Sequence, residues 1–310
     1  MEINTPVLHR AQQRKTSRLK KTLTAYSFVA PNFIGFFVFT MIPLCFALVL
    51  SFMHWDNANE TKFVGLDNFI RLAVDKTFRK ALVNTVIYTA ATVPLTQGTG
   101  LGLALLLNQK IKARNVFRTV NFFPYVASMV AVTAVWGFLF NPSFGPVNVF
   151  LSWITGMPYE SMPRWGVGAW ALPSVILFSV WKNMGYYMVI YLAGLQGISP
   201  SLYEAASIDG ANAWQKFVNV TIPQLKPTTF FITMILIINS FKVYDIFITM
   251  FGGGKGELTD STRVLVYQIY HSAFVSWDFG YASAMALVLF VIVLGVTLVQ
   301  FYSEKKFSAE

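Results

Sequence analysis

The sequence predicts an all-α membrane protein, a polytopic helical bundle of six transmembrane helices. Three observations predict it. Hydrophobic residues make up 55% of the 310 and charged residues 12%, about half the ~25% usual in soluble domains. A soluble fold of this length cannot cover that much apolar side chain with polar surface. The apolar residues gather into six runs, each near the roughly 20 residues that cross a hydrocarbon layer. Basic residues cluster beside the runs, as membrane orientation requires.

The first run, 26–52, is uncharged and contains Pro31 and Pro43. A basic tail over 1–25 precedes it, with Arg10, Arg14, Lys15, Arg18, Lys20 and Lys21. The tail fits the start of a signal peptide. The run, however, exceeds the ~7–15 apolar residues of such a segment and no small-residue cleavage site follows, so it reads as a retained span. The second run, 81–107, holds Pro94 and the repeat Gly98-x-Gly100-x-Gly102, small residues that allow close helix approach. The third is 119–140, with Pro124 near its start. The fourth, 172–195, carries Lys182; the fifth, 228–250, carries Lys242 and Asp245; the sixth, 279–302, is uncharged. Proline and glycine inside spans are tolerable because neighbouring helices re-satisfy the freed backbone groups.

Orientation follows from the basic residues. The tail places the N-terminus in the cytoplasm. Alternation then puts 108–118, 196–227 and the tail 303–310 inside. Those pieces hold 14 Lys/Arg against eight in the outside loops. The first outside loop weakens the bias, since Lys62, Arg71, Lys76, Arg79 and Lys80 lie there. The net charge of +10 is therefore read as orientation within membrane lipid and not as nucleic-acid binding.

The inside loop 197–227 is the most polar stretch of the C-terminal half and reads as two short helices. Ser199 and Pro200 suit an N-cap and first helical residue. Asp209-Gly210 ends the first helix, with glycine at the left-handed C-cap. Asn212 and Gln215 form a capping box for the second, and Pro223 and Pro227 punctuate the approach to span five. The small face of Ala205 and Ala206 and the charge of Glu204 suit a groove on another protein. On the residues alone, an ordinary solvated loop helix fits equally well.

The spacing Glu204-Ala205-Ala206, three residues, Gly210, nine residues, Val220, one residue, Ile222-Pro223 resembles the EAA loop of permease subunits of binding-protein-dependent ABC importers. That motif reads EAA, three residues, Gly, nine residues, Ile, one residue, Leu-Pro. Val220 and Ile222 depart from it while keeping apolar branched character. The segments 63–69 (FVGLDNF), 81–85 (ALVNT), 145–148 (GPVN), 192–196 (LAGLQ) and 280–284 (GYASA) are similar to carbohydrate permeases of the maltose and glycerol-phosphate type. So is the stretch from Phe123-Pro124 to Trp136. Gly252-Gly253-Gly254 stands where that family often has Gly-Gly-Pro. The large domain that some maltose-type subunits insert between spans three and four is missing. The resemblance implies the type I ABC importer permease fold over 26–302 and alternating access. It also implies an EAA coupling helix that docks on an ATPase, with Glu204, Ala205, Ala206, Gly210 and Pro223 at the motif positions.

Ionisable groups within a bilayer are costly and usually face an interior or a water-filled path. Lys182 lies within Trp181-Lys182-Asn183 and near Tyr187; Lys242 and Asp245 are three apart, so on one helix they share a face and can pair. Asn239 and Tyr244 lie close by. Sugars are bound by aromatic faces with amide and hydroxyl hydrogen bonds, and these clusters supply both. Against a substrate pathway stand plainer roles: an ion pair for Lys242 and Asp245, snorkelling or a helix–helix bond for Lys182. Asn239 could join helices, and Trp181 and Tyr187 could pack.

The segment Gly252–Gly256 lacks the spacing of a phosphate loop, and the three histidines are too far apart in sequence for metal-ligand spacing. The chain is thus expected to bind no cofactor, to have no catalytic or metal site and not to be an enzyme. By resemblance, ATP and Mg²⁺ sit on a partner ATPase dimer. The other implied partners are a second homologous permease, an extracytoplasmic solute-binding protein and a sugar. The implied location is a bacterial cytoplasmic membrane with both termini inside. The rival class is an ion-coupled secondary transporter or channel with Lys182, Lys242 and Asp245 as a relay, which leaves the EAA spacing unexplained. A membrane scaffold without transport is the third.

Overall fold

Four of the six apolar runs form helices long and apolar enough to cross a membrane, and two bent helix pairs raise the count to six if each pair is one span. The structure, a computed structural model, describes residues 22, 24–55, 61–109, 111–251 and 260–307. Most of the basic tail, Gly252–Gly256 and the last three residues lie outside the described residues.

Span one is α1 (Thr24–Leu50), with a π-helical turn at Phe37–Met41 and most of its apolar side chains exposed. In water such a surface is untenable; in a bilayer it is solvated. A small hairpin follows, β1 (Met53–His54) antiparallel to β2 (Lys62–Phe63), with Met53 opposite Phe63. It departs from an all-helical reading by four residues. After it come α2 (Asp67–Val74) and span two, α3 (Lys76–Asn108). Asp75 caps α3 by accepting from Thr77 N–H at 2.7 Å. Partial burial pushes its carboxyl up. Hydrogen bonds from Tyr281 and the Thr77 and Phe78 N–H groups, with Arg71 nearby, outweigh that and hold it below the usual carboxylate value. Arg71 also pairs with Asp278 at 2.6 Å and lies 3.9 Å from the Tyr281 ring centre, which fastens the N-terminal end of span six to α2.

Span three is not one helix. It runs as α4 (Arg114–Val126), turns by 98° at Ala127-Ser128, and continues as α5 (Met129–Leu139). A short helix, α6 (Pro146–Thr155), precedes span four, α7 (Ala171–Gln196). The segment after α7 holds α8 (Pro200–Ile208) and α9 (Ala213–Gln224), the latter bent by 63° from α10 (Lys226–Phe241). The expected fifth span, 228–250, is broken at 242–244 and resumes as α11 (Asp245–Phe251). Then come α12 (Leu265–Tyr270) and span six, α13 (Phe279–Phe307).

α7 sits at the centre, against α3, α4 and α10. Two glycines set those contacts. Within the repeat on α3, only Gly100 lies tight against α7: a Cβ there would sit 3.3 Å from Met188 N and the Tyr187 Cβ, while Gly98 and Gly102 face open space. On α7, a Cβ at Gly185 would overlap the backbone of Asn121 and Phe122. Backbone cannot swing aside as a side chain can, so Gly185→Ala is expected to cost about 2–3 kcal/mol as overpacking. Thermal unfolding in detergent checks this, and an unchanged midpoint would mean that α4 and α7 are not in backbone contact. Around α7 the core divides into a cluster about Tyr187, Tyr191 and Ile232 and another about Tyr88, Phe178 and Phe247. A third, about Phe241, Tyr281 and Met285, joins span six.

Candidate functional site

The break in span five opens a cavity. Lys242, Val243 and Tyr244 leave the helical ladder between α10 and α11, and a space of about 290 Å³ lies beside them. Asn183, Tyr187, Asn239, Lys242, Tyr244 and Asp245 all line it. So do Tyr88, Thr92, Tyr125 and Tyr186, which sequence reasoning missed. Uncharged polar residues do not stand out in an apolar run; the only available signal was a tyrosine and a threonine four apart on span two, which share a helix face. Tyr125 from α4 and Tyr186 from α7 stack at 4.4 Å between ring centres, only 14° from parallel. Asn183 donates to Ser179 O at 2.8 Å, and Tyr88 donates to Ser179 Oγ at 2.9 Å. The walls thus combine aromatic faces, amides, hydroxyls, one cation and one anion.

Three expectations change here. Lys242 and Asp245 do not share a helix face, because the helix ends between them, and among the described residues no ion pair joins them. Trp181 and Lys182 are not brought to the cavity. Trp181 packs 5.2 Å from Trp136 and faces a separate apolar hollow lined by Val132, Val135 and Leu139.

Lys182 is 6% exposed and turns toward the bend in span three. Its Nζ donates to Pro124 O at 2.9 Å and Ala127 O at 3.1 Å, with Tyr125 O at 3.4 Å. The end of a helix leaves carbonyls without partners, and a bilayer offers no water to satisfy them. The lysine caps α4 and takes its charge compensation from the negative end of that helix.

The second site is the loop between α7 and α10. Ser199 occupies the N-cap position of α8 and Pro200 the first helical position, although the serine hydroxyl meets Ser201 Oγ and caps no backbone group. Gly210 has φ +76°, where a side chain would be strained. The capping box forms: Gln215 N–H donates to Asn212 Oδ1 at 2.9 Å, and Asn212 N–H donates to Gln215 Oε1 at 2.8 Å. Lys216 Nζ donates to Ser207 Oγ at 2.7 Å, and the Tyr203 and Thr221 hydroxyls meet at 3.0 Å. Two helices tied at several points form a stiff unit. On it Glu204, Ala205 and Gly210 are exposed, while Ala206 and Pro223 are half-buried. Ile208 and Trp214, not singled out in the sequence, stand 87% and 70% exposed beside them.

Residues 98–309 match the family of inner membrane components of binding-protein-dependent transport systems. The chain belongs to that family. The permease is 29% identical over 299 residues to a probable starch degradation products transport system permease of Thermoanaerobacterium thermosulfurigenes, covering 96% of this chain and 99% of that one. It is 32% identical over 289 residues to the trehalose/maltose transport system permease MalF of Thermococcus litoralis, covering 92% and 95%. Its fold is that of a chain in the crystal structure of a bacterial alginate ABC transporter bound to its alginate-loaded periplasmic protein. That match has TM-score 0.80 and 24% identity, and it covers 94% of the permease and 97% of the other chain. The type I permease fold and the inner-membrane location expected from the EAA resemblance are thereby borne out, and these relatives are transport permeases, not enzymes.

Proposed function

We propose that the permease forms half of the translocation pathway of an ATP-driven sugar importer. The observation that carries this is the cavity at the broken span five, within a chain of a binding-protein-dependent transport family. Aromatic faces, the Asn183 and Asn239 amides and the tyrosine hydroxyls suit a polyhydroxylated solute. The relatives' substrates, starch degradation products in one and trehalose or maltose in the other, point to the same class. In this reading a solute-binding protein delivers the sugar from outside, and a second permease supplies the other wall. An ATPase dimer carrying ATP and Mg²⁺ engages α8 through Glu204, Ala205 and Ala206. Gly210 and Pro223 shape the loop, both termini lie in the cytoplasm, and this chain holds no cofactor itself. The ion-relay alternative loses its geometry, since Lys182 is committed to backbone carbonyls away from Lys242 and Asp245.

Uptake by cells expressing the whole transporter tests the pathway. Asn239→Leu keeps the side-chain size, removes the amide from the cavity wall, and is expected to reduce uptake at least tenfold, with the ATPase still co-purifying. Undiminished uptake would exclude the cavity as the path, and uptake persisting without any ATPase would overturn the importer.

A further inference from the structure

α6 is amphipathic in the inverted sense. Its inward face carries polar side chains: Asn148 is 1% exposed, donates to Pro163 O at 3.0 Å and accepts from Trp165 Nε1 at 2.7 Å. Ser152 donates to Met157 O at 2.6 Å. Its outward face is apolar, with Val149, Phe150, Trp153 and Ile154 at helical spacing and all 56–79% exposed. A water-facing helix has the opposite pattern. The helix is also firmly placed. A Cβ at Gly145 would meet the Asn141 and Leu139 carbonyl oxygens, and Trp165 stacks on Phe140 at 5.1 Å.

Two observations identify what covers that face. The apolar surface is continuous with span three: the exposed Phe138 ring of α5 lies 5.7 Å from Phe144, just before α6. And no Asp, Glu, Lys or Arg occurs from Thr119 through Tyr159, so the face offers no charge for a protein partner to complement. The ten residues of α6 are too few to span, at 1.5 Å each. An apolar face bearing Trp, placed at the end of a span, fits the headgroup and acyl boundary. We infer that α6 is an interfacial membrane anchor, its Phe150, Trp153 and Ile154 immersed in the outer leaflet beside span three. The solute-binding protein then docks elsewhere on the outside loops. The leaflet rests on the orientation proposed above; contact with lipid does not.

The test uses the whole transporter in a Cys45→Ala background. Ile154→Cys and, separately, Ser161→Cys carry the fluorophore NBD, in nanodiscs containing acyl-brominated phospholipid. Emission at 154 should be blue-shifted and quenched at least twofold, that at the exposed Ser161 unquenched, and saturating binding protein should change neither. Adding Trp153→Asp and Phe150→Asp should abolish the quenching at 154 while the Asn148 bonds keep the helix in place. Equal, water-like emission at both positions would overturn the anchor. So would shielding at 154 that is unquenched by bromine, or that arises only when the binding protein is added, since each assigns the face to protein. A membrane-impermeant thiol reagent on intact cells should label the Ser161→Cys variant; if it does not, the orientation fails while the bromine result still judges the lipid contact.

Discussion

Lys182→Met is expected to lower the stability of the permease by about 2–4 kcal/mol, with the apparent melting midpoint in detergent down by about 5 °C or more. The side chains are close in length, so packing changes little. What disappears is the donor to Pro124 O, Ala127 O and, more weakly, Tyr125 O. Each buried acceptor left unpaired costs roughly 1–3 kcal/mol. Removing the ammonium also relieves its own desolvation, which offsets part of that loss, and the net figure allows for it. Lys182→Gln, with an amide donor that reaches fewer carbonyls, should lose about half as much. The decisive contrast is between stability and selectivity. A lysine that touched sugar would, when replaced, impair uptake in a protein that melts normally. A lysine that caps the bend impairs both together, in proportion to the folded protein remaining. A normal melting midpoint with abolished uptake would return Lys182 to the pathway.

That role was only half-visible in the sequence. An ionisable residue in a span announces a special partner, and Lys182 has one, but the partner is backbone 55–58 residues away. No pattern of side chains displays a carbonyl. The four unbroken spans were legible because transfer to lipid depends on the summed hydropathy of a run, which composition records directly. The breaks were not. Pro124 lies near one bend, yet the turn falls at Ala127-Ser128, where tertiary capping makes it affordable; at 242–244 neither proline nor glycine occurs. The pairing of Lys242 with Asp245 failed for the same reason, since a spacing of three is informative only on an unbroken helix. The loop over 197–227 was read best, because its determinants are local. The Asn212–Gln215 box and the left-handed Gly210 depend on residues within one turn of each other.

Glu204→Arg is expected to reduce co-purification of the ATPase at least tenfold and to abolish uptake, with the melting midpoint of the permease unchanged. Among the described residues Glu204 has no hydrogen-bond or ion-pair partner, and it is exposed on α8. Its replacement therefore removes nothing that holds the chain together. The helix itself is fixed by Gly210, by the Lys216–Ser207 bond and by the Tyr203–Thr221 contact. In the proposed coupling role, force applied at Glu204 would pass to α9 and α10 instead of being absorbed by a yielding loop. α10 leads directly to the break at 242–244 and the cavity beside it. An acidic side chain used for docking needs a complementary cation on the partner, and like charges brought together at an interface cost several kcal/mol, well beyond the 1.4 kcal/mol of a tenfold loss. Glu204→Gln removes attraction without adding repulsion and should fall between. If Glu204→Arg retains the ATPase but loses uptake, the helix transmits movement without supplying the affinity, and Ile208 and Trp214, exposed beside it, become the binding surface. If it retains both, α8 is not the coupling element.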